Sequence, residues 1–119
     1  MTADTIDIAA LKKLKDMIGG DTEDLMELVD DFVSGFPDQV GQMQDQMAQQ
    51  DWGALRIAAH SCKSNARDVG ATALSGLCAE LELQCRNGVP QGPDVQLQQI
   101  ESAGHAAIAA LKQLDLDHV

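Results

Sequence analysis

Apolar residues recur along most of this chain at intervals of three and four, the spacing of a helix with one buried face. Five such segments can be drawn. The first covers about Thr5 to Ile18, with Ile8, Leu11, Leu14 and Ile18 on one side. Gly19-Gly20 ends it, because glycine tolerates the left-handed cap conformation. Asp21 caps the second by accepting a backbone N–H. The apolar series there is Leu25, Leu28, Val29, Phe32, Phe36, Val40, Met43 and Met47. Pro37 falls inside that series; it removes a donor and crowds the preceding turn, which predicts a kink or short break near Gly35-Phe36. Asp51 caps the third helix, which ends near Gly70. The fourth runs from about Ala71 to Arg86, with Leu74, Leu77, Cys78, Leu81 and Cys85 inward. Asn87-Gly88-Val89-Pro90 and Gly92-Pro93-Asp94 are breaker clusters. The fifth runs from near Asp94 to about Leu114, burying Leu97, Ile100, Ala107, Ile108, Leu111 and Leu114.

Helices two to five are amphipathic and joined by short turns, which favours antiparallel neighbours. The expected fold is all-α: an antiparallel up-down four-helix bundle (residues 21–114) with an additional N-terminal helix (residues 1–20) across one end. The tail, residues 115–119, is expected to fray. At 119 residues the chain is read as one domain, and a monomer is the default for a core complete within one chain. Absent tyrosine, scarce proline and abundant Ala, Leu, Gln, Asp and Met favour helix over sheet. No apolar run is long enough for a membrane span, and the start lacks a signal-peptide pattern. Three cysteines without metal-type spacing suit reduced core thiols and a cytoplasmic setting. The Met17, Met26, Met43 and Met47 set reads as core filler.

The net charge of −11 argues against nucleic acid, which needs a basic footprint. Its distribution says more. Residues 51–70 carry Arg56, Lys63 and Arg67 against Asp51 and Asp68, a balance of +1, so the rest of the chain sums to −12. Trp52, Leu55, Ala59, Cys62, Ala66 and Val69 form the buried stripe of that helix. His60 lies roughly 130° around from the stripe's centre, on the wet side. The three cations stand near it at helical spacings, although Arg56 is expected to engage a neighbouring acid. Ile57 lies beside His60 on the outward side, with contact to the first helix as its plain alternative; Ala59, Ser61 and Ser64 keep the surroundings low. A solvent-facing imidazole flanked by positive charge suits a nucleophile that accepts and holds a phosphoryl group. A lone histidine on a helix surface is ordinarily only a polar residue, so the wider pattern decides.

That pattern is Ala59-His60, then Lys63, then Ser64-Asn65-Ala66, then Gly70-Ala71, with Leu74, Cys78 and Leu81-Glu82 on the next helix. The series resembles histidine-containing phosphotransfer (HPt) domains from Ala59 to Glu82, and the helix plan resembles them over nearly the whole chain. Such domains usually carry glycine directly after the lysine; Ser64 stands there instead and implies an altered fit to partners. The resemblance implies that His60 takes a phosphoryl group from a phospho-aspartate on a receiver domain and passes it to another, with Lys63 steadying the phosphoryl oxygens. Arg67 would be a second cation, toward phosphate or partner, and Ile57, Ser61, Ser64 and Arg67 would meet the partner. Partners would be receiver domains of response regulators or of a hybrid histidine kinase. No cofactor is expected on this chain, the magnesium ion belonging to the receiver.

Histidine kinases commonly place an acidic residue directly after the phosphorylated histidine; here Ser61 stands there, and no phosphate-cradling Gly-x-x-x-x-Gly-Lys loop occurs, so no autokinase activity is expected. The competing reading is a helical adaptor that binds a signalling partner without phosphorylation. A zinc site built from His60, Cys62 and another thiol lacks suitable spacing. The initial methionine and the tail lean toward a free-standing protein rather than a piece of a hybrid kinase.

Overall fold

The computed structural model describes residues 5–119. Five helices follow in order: α1 (Ile8–Met17), α2 (Thr22–Ala48), α3 (Trp52–Asp68), α4 (Thr72–Asn87) and α5 (Pro93–Gln113). A 3₁₀ turn, Leu116–His118, follows α5. Helices α2 to α5 form the bundle: α3 packs between α2 and α4, and α5 closes the ring between α4 and α2. The caps are those expected for α2 and α3. Asp21 Oδ1 accepts from Glu23 N at 2.8 Å, and Asp51 Oδ1 from Ala54 N at 3.1 Å. Each satisfies an amide that the first helical turn leaves without a partner.

Pro37 does not break α2, which is helical without interruption from Thr22 to Ala48. The lost backbone bond is outweighed by the face that the continuous helix buries: Leu25, Val29, Phe32, Phe36, Val40 and Met43. The proline itself is exposed, so its ring needs no room in the core. Leu28, expected in that face, lies at its exposed margin. The methionines divide: Met43 is buried and Met47 half-buried against the core, whereas Met17 and Met26 are exposed.

The chain start departs from the expected helix. α1 begins at Ile8, not Thr5, because Asp7 is its cap, accepting from Ala9 N at 3.0 Å. The three described residues before Ile8 lie outside the helix, so Ile6 enters the core while Ile8 turns to solvent. Asp7 N also donates to Gly70 O at 2.7 Å, pinning this segment to the α3–α4 turn. Gly70 has φ +80°, and a Cβ there would meet Asp7 O at 2.5 Å, so conformation and close approach both require glycine. α1 therefore packs on α2 and α3 at the end of the bundle, about 15 Å along α3 from His60 at 1.5 Å per residue.

The tail is not frayed. Leu116 and Val119 pack against the core, and Lys15 Nζ donates to Leu116 O at 3.3 Å. Asp115 caps the 3₁₀ turn through Asp117 N, and its other oxygen meets His118 Nδ1 at 2.6 Å. Burial of two side chains and one long-range bond hold residues too short to form a helix.

Helices α2 and α5 pack closely at Gly104 on α5, whose missing side chain admits the Phe36 ring from α2. A methyl group at 104 would overlap that ring. Phe36 is fully buried and flanked by Phe32 and His105 at centroid distances of 6.0 and 6.4 Å, so it has little room to move. Gly104→Ala should therefore destabilise the fold by ~1–3 kcal/mol despite the better helix propensity of alanine, as overpacking does. Urea denaturation checks this; a stabilised variant would contradict the contact.

Candidate functional site

The site is built across the seam between α3 and α4. The two helices run antiparallel, with Ser75 opposite Lys63 and Glu82 opposite His60. Ser75 Oγ donates to the Lys63 carbonyl at 3.1 Å, fixing the register. The buried stripes Leu55, Ala59, Cys62, Ala66 on α3 and Leu74, Cys78, Leu81, Cys85 on α4 close beneath. Small Ala and Cys residues in both stripes let the helices approach closely. All three cysteines are buried free thiols, as their core spacing suggested.

Glu82 is the one charged residue buried among those described, at 4% exposure. It sits at the edge of the α4 stripe and points under the α3 face. Its Oε1 accepts from Lys63 Nζ at 2.6 Å, and its Oε2 meets His60 Nδ1 at 2.7 Å. Arg86 Nη2, one turn further along α4, lies 3.4 Å from Oε2. The Lys63 hydrogen bond is the main cause holding the Glu82 carboxyl below its ordinary range; burial works the other way, and the His60 contact adds to the lowering. An ionised carboxylate only accepts, so Nδ1 of His60 carries a proton and donates it. In the neutral ring Nε2 is then left with a lone pair. The His60 side chain is 58% exposed, and α1 does not cover it.

Ile57 is 60% exposed, one turn before His60, and is not covered by α1. Ser61 and Arg67 are exposed and Ser64 is half-buried. Lys63 is less free than expected, since its ammonium is held by Glu82 and its side chain is only 23% exposed. Arg56 engages no acid: among the described residues its charge forms no ion pair, and it is instead near Cys85. Two residues of the site carried no role in the sequence reading, Glu82 and Arg86. The signal for Glu82 was a carboxylate set beside Leu81 at a core-facing position, which demands a cation from elsewhere. For Arg86 it was the four-residue spacing from that carboxylate.

The lowered Glu82 value links the site to acid stability. The unfolded carboxyl titrates near its ordinary 4.5 and the folded one lower, so the folded state binds fewer protons between the two. The stabilisation is complete above about pH 4.5 and is lost as pH falls through the folded value. Glu82→Gln should remove this component: the stability gap between wild type and variant, followed by urea unfolding, should shrink steadily as pH drops below 4.5. Parallel stability curves would contradict the assignment.

Comparison with known proteins bears on the family and the fold. The Hpt domain family model matches residues 27–115, which is most of the chain and includes α3 and α4 whole. The fold is similar to the crystal structure of histidine-containing phosphotransfer protein B (HptB) from Pseudomonas aeruginosa PAO1. The TM-score is 0.84 and the identity 28%, over 93% of this chain and 94% of that one. Among curated protein sequences nothing matches. With the family's helical bundle and a histidine exposed on its central seam, the chain belongs to the Hpt domain family and is a histidine phosphotransfer protein of a phosphorelay.

Proposed function

We propose that His60 carries the phosphoryl group, on Nε2, between aspartate-bearing receiver domains. The observation that carries this reading is the 2.7 Å contact between His60 Nδ1 and Glu82, which commits one ring nitrogen to a proton and frees the other. In the forward step the Nε2 lone pair attacks phosphorus of the receiver's aspartyl phosphate. The N–P bond forms, the bond from phosphorus to the aspartate oxygen breaks, and the aspartate leaves as carboxylate. The proton on Nδ1 stays in place throughout. The phosphorylated ring is then cationic, and Glu82 lies against the charge that develops, where a fixed opposite charge stabilises most. Return transfer to a second receiver reverses each step.

Phosphoryl transfer proceeds through a loose transition state, so positioning and charge dominate. Lys63 is one turn from His60 and shares its carboxylate, and by turning from Glu82 its ammonium would meet the phosphoryl oxygens. Ile57, Ser61, Ser64 and Arg67 form the rim that meets the receiver. The exposed isoleucine supplies an apolar contact, the serines keep the approach open, and Arg67 faces an acidic partner. The magnesium ion belongs to the receiver. Ser61 after the histidine supplies no carboxylate to assist attack on ATP, which supports a carrier without autokinase activity. The acidic surface and buried thiols, with no helix long and apolar enough to cross a membrane among the described residues, support a cytoplasmic setting.

Incubation with a phosphorylated receiver domain tests the reading. Mass spectrometry should place an acid-labile phosphoryl group on His60, and His60→Gln should abolish the label while leaving the fold intact. Lys63→Glu should slow transfer about tenfold or more, because it places a like charge beside the incoming anion; a factor of ten corresponds to ~1.4 kcal/mol. Equal rates for Lys63→Glu and wild type would remove Lys63 from the mechanism. Unchanged partner signalling by His60→Gln would favour the adaptor alternative.

A further inference from the structure

Glu82 is shared by three donors, and the third has no part in the chemistry described so far. Lys63 Nζ takes Oε1 at 2.6 Å, while His60 Nδ1 and Arg86 Nη2 both face Oε2, at 2.7 and 3.4 Å. The three differ in freedom. The Lys63 side chain is 23% exposed and closely held; that of Arg86 is 60% exposed and held at the long end of hydrogen-bond range. Accepting this chain as a carrier on His60, Lys63 faces two demands in sequence. At rest it neutralises a carboxylate that is 5% exposed. Once phosphorus is on Nε2, its ammonium is needed by the phosphoryl oxygens. Turning away would leave the buried carboxylate with the phosphorylated ring on Oε2 and nothing on Oε1, and a buried acceptor left without a donor is costly.

We infer that Arg86 is a positioning residue that takes over the Glu82 carboxylate as Lys63 turns to the phosphoryl group. The guanidinium suits that task. It offers several donors in a rigid fork, so it can close on Oε2 and Oε1 together from one turn along the same helix. It need not move far, because the contact to Oε2 is already begun. It also acts with no contact to the phosphoryl group, which distinguishes it from Lys63 and from Arg67 on α3. Both Glu82 oxygens then keep a donor before and after phosphorylation, and the Lys63 ammonium is free to meet the phosphoryl group.

Phosphoramidate, a chemical donor that transfers its phosphoryl group to histidine with loss of ammonia, tests this without any partner protein. Labelling of His60 is followed by mass spectrometry in wild type, Arg86→Ala, Arg86→Lys, Glu82→Gln and the double variant Glu82→Gln/Arg86→Ala. Arg86→Ala should label His60 roughly two- to fivefold more slowly, the range a largely exposed ion pair supports. Arg86→Lys should restore most of the rate. In the Glu82→Gln background, removal of Arg86 should have no further effect, because the carboxylate it serves is gone. A merely structural or long-range electrostatic role would slow both backgrounds alike and would overturn the inference, as would an Arg86→Ala rate equal to wild type. A wild-type chain that takes no label at His60 would overturn the carrier reading and this inference with it. Normal wild-type labelling with an inert Arg86→Ala would overturn the inference alone.

Discussion

A single carboxylate, Glu82, faces two ways at the α3–α4 seam, and the site cannot be understood without it. Its oxygens hold the Lys63 ammonium at 2.6 Å and the His60 ring at 2.7 Å, from a position only 4% exposed. A charge so placed is unfavourable alone and acceptable only when fully partnered. These two partners come from the opposite helix, and Arg86 from the same one. The requirement to satisfy Glu82 therefore also sets the register of α3 against α4 at this point, together with the bond from Ser75 to the Lys63 carbonyl. The same contact that settles the buried charge orients the imidazole and decides which nitrogen holds its proton. Structure and chemistry depend here on one pair of oxygen atoms.

The rest of the molecule serves to hold that seam steady and leave it open. Small residues in the facing stripes of α3 and α4 bring the backbones near enough for a glutamate on one helix to reach a histidine on the other. α2 and α5 close the bundle behind them, with the Phe36 ring set into the space that Gly104 leaves. α1 is fixed at the far end by the Asp7–Gly70 contact, so it stabilises α3 without shading the imidazole. Around the ring the rim is low or apolar, and the acidic majority of the surface lies elsewhere. A negatively charged body with a cationic, exposed seam favours approach of an acidic partner in one orientation and disfavours the others.

Much of this was legible along the chain. Asp21 and Asp51 announced two helix starts, and the α3 stripe placed His60 on the wet side, because both are properties of one helix. The pairing with Glu82 was not legible in the same way. It joins residues 22 apart on two helices, and no single helical wheel contains the rotation of one helix against its neighbour. The same limit explains Arg56, whose charge looked ready for an acid that the packing did not supply. Elsewhere local rules competed with burial. Pro37 argued for a break that the long apolar face of α2 overrode. At the chain start the apolar series Ile8, Leu11, Leu14 extended a helical period too far, since Asp7 caps the helix and residues before it follow the path set by Gly70. The tail was expected to fray as a chain terminus does, but Leu116 and Val119 find the core and Lys15 reaches back to it.

If Glu82 fixes a proton on Nδ1, Nε2 is left as the nucleophile. Nitrogen-15 NMR of ring-labelled His60, read in the resting neutral protein and again after phosphorylation, tests it most directly. The resting ring should be protonated at Nδ1 and unprotonated at Nε2, with coupling to phosphorus appearing at Nε2 afterwards. A resting proton on Nε2, or a phosphorus coupled to Nδ1, would contradict it.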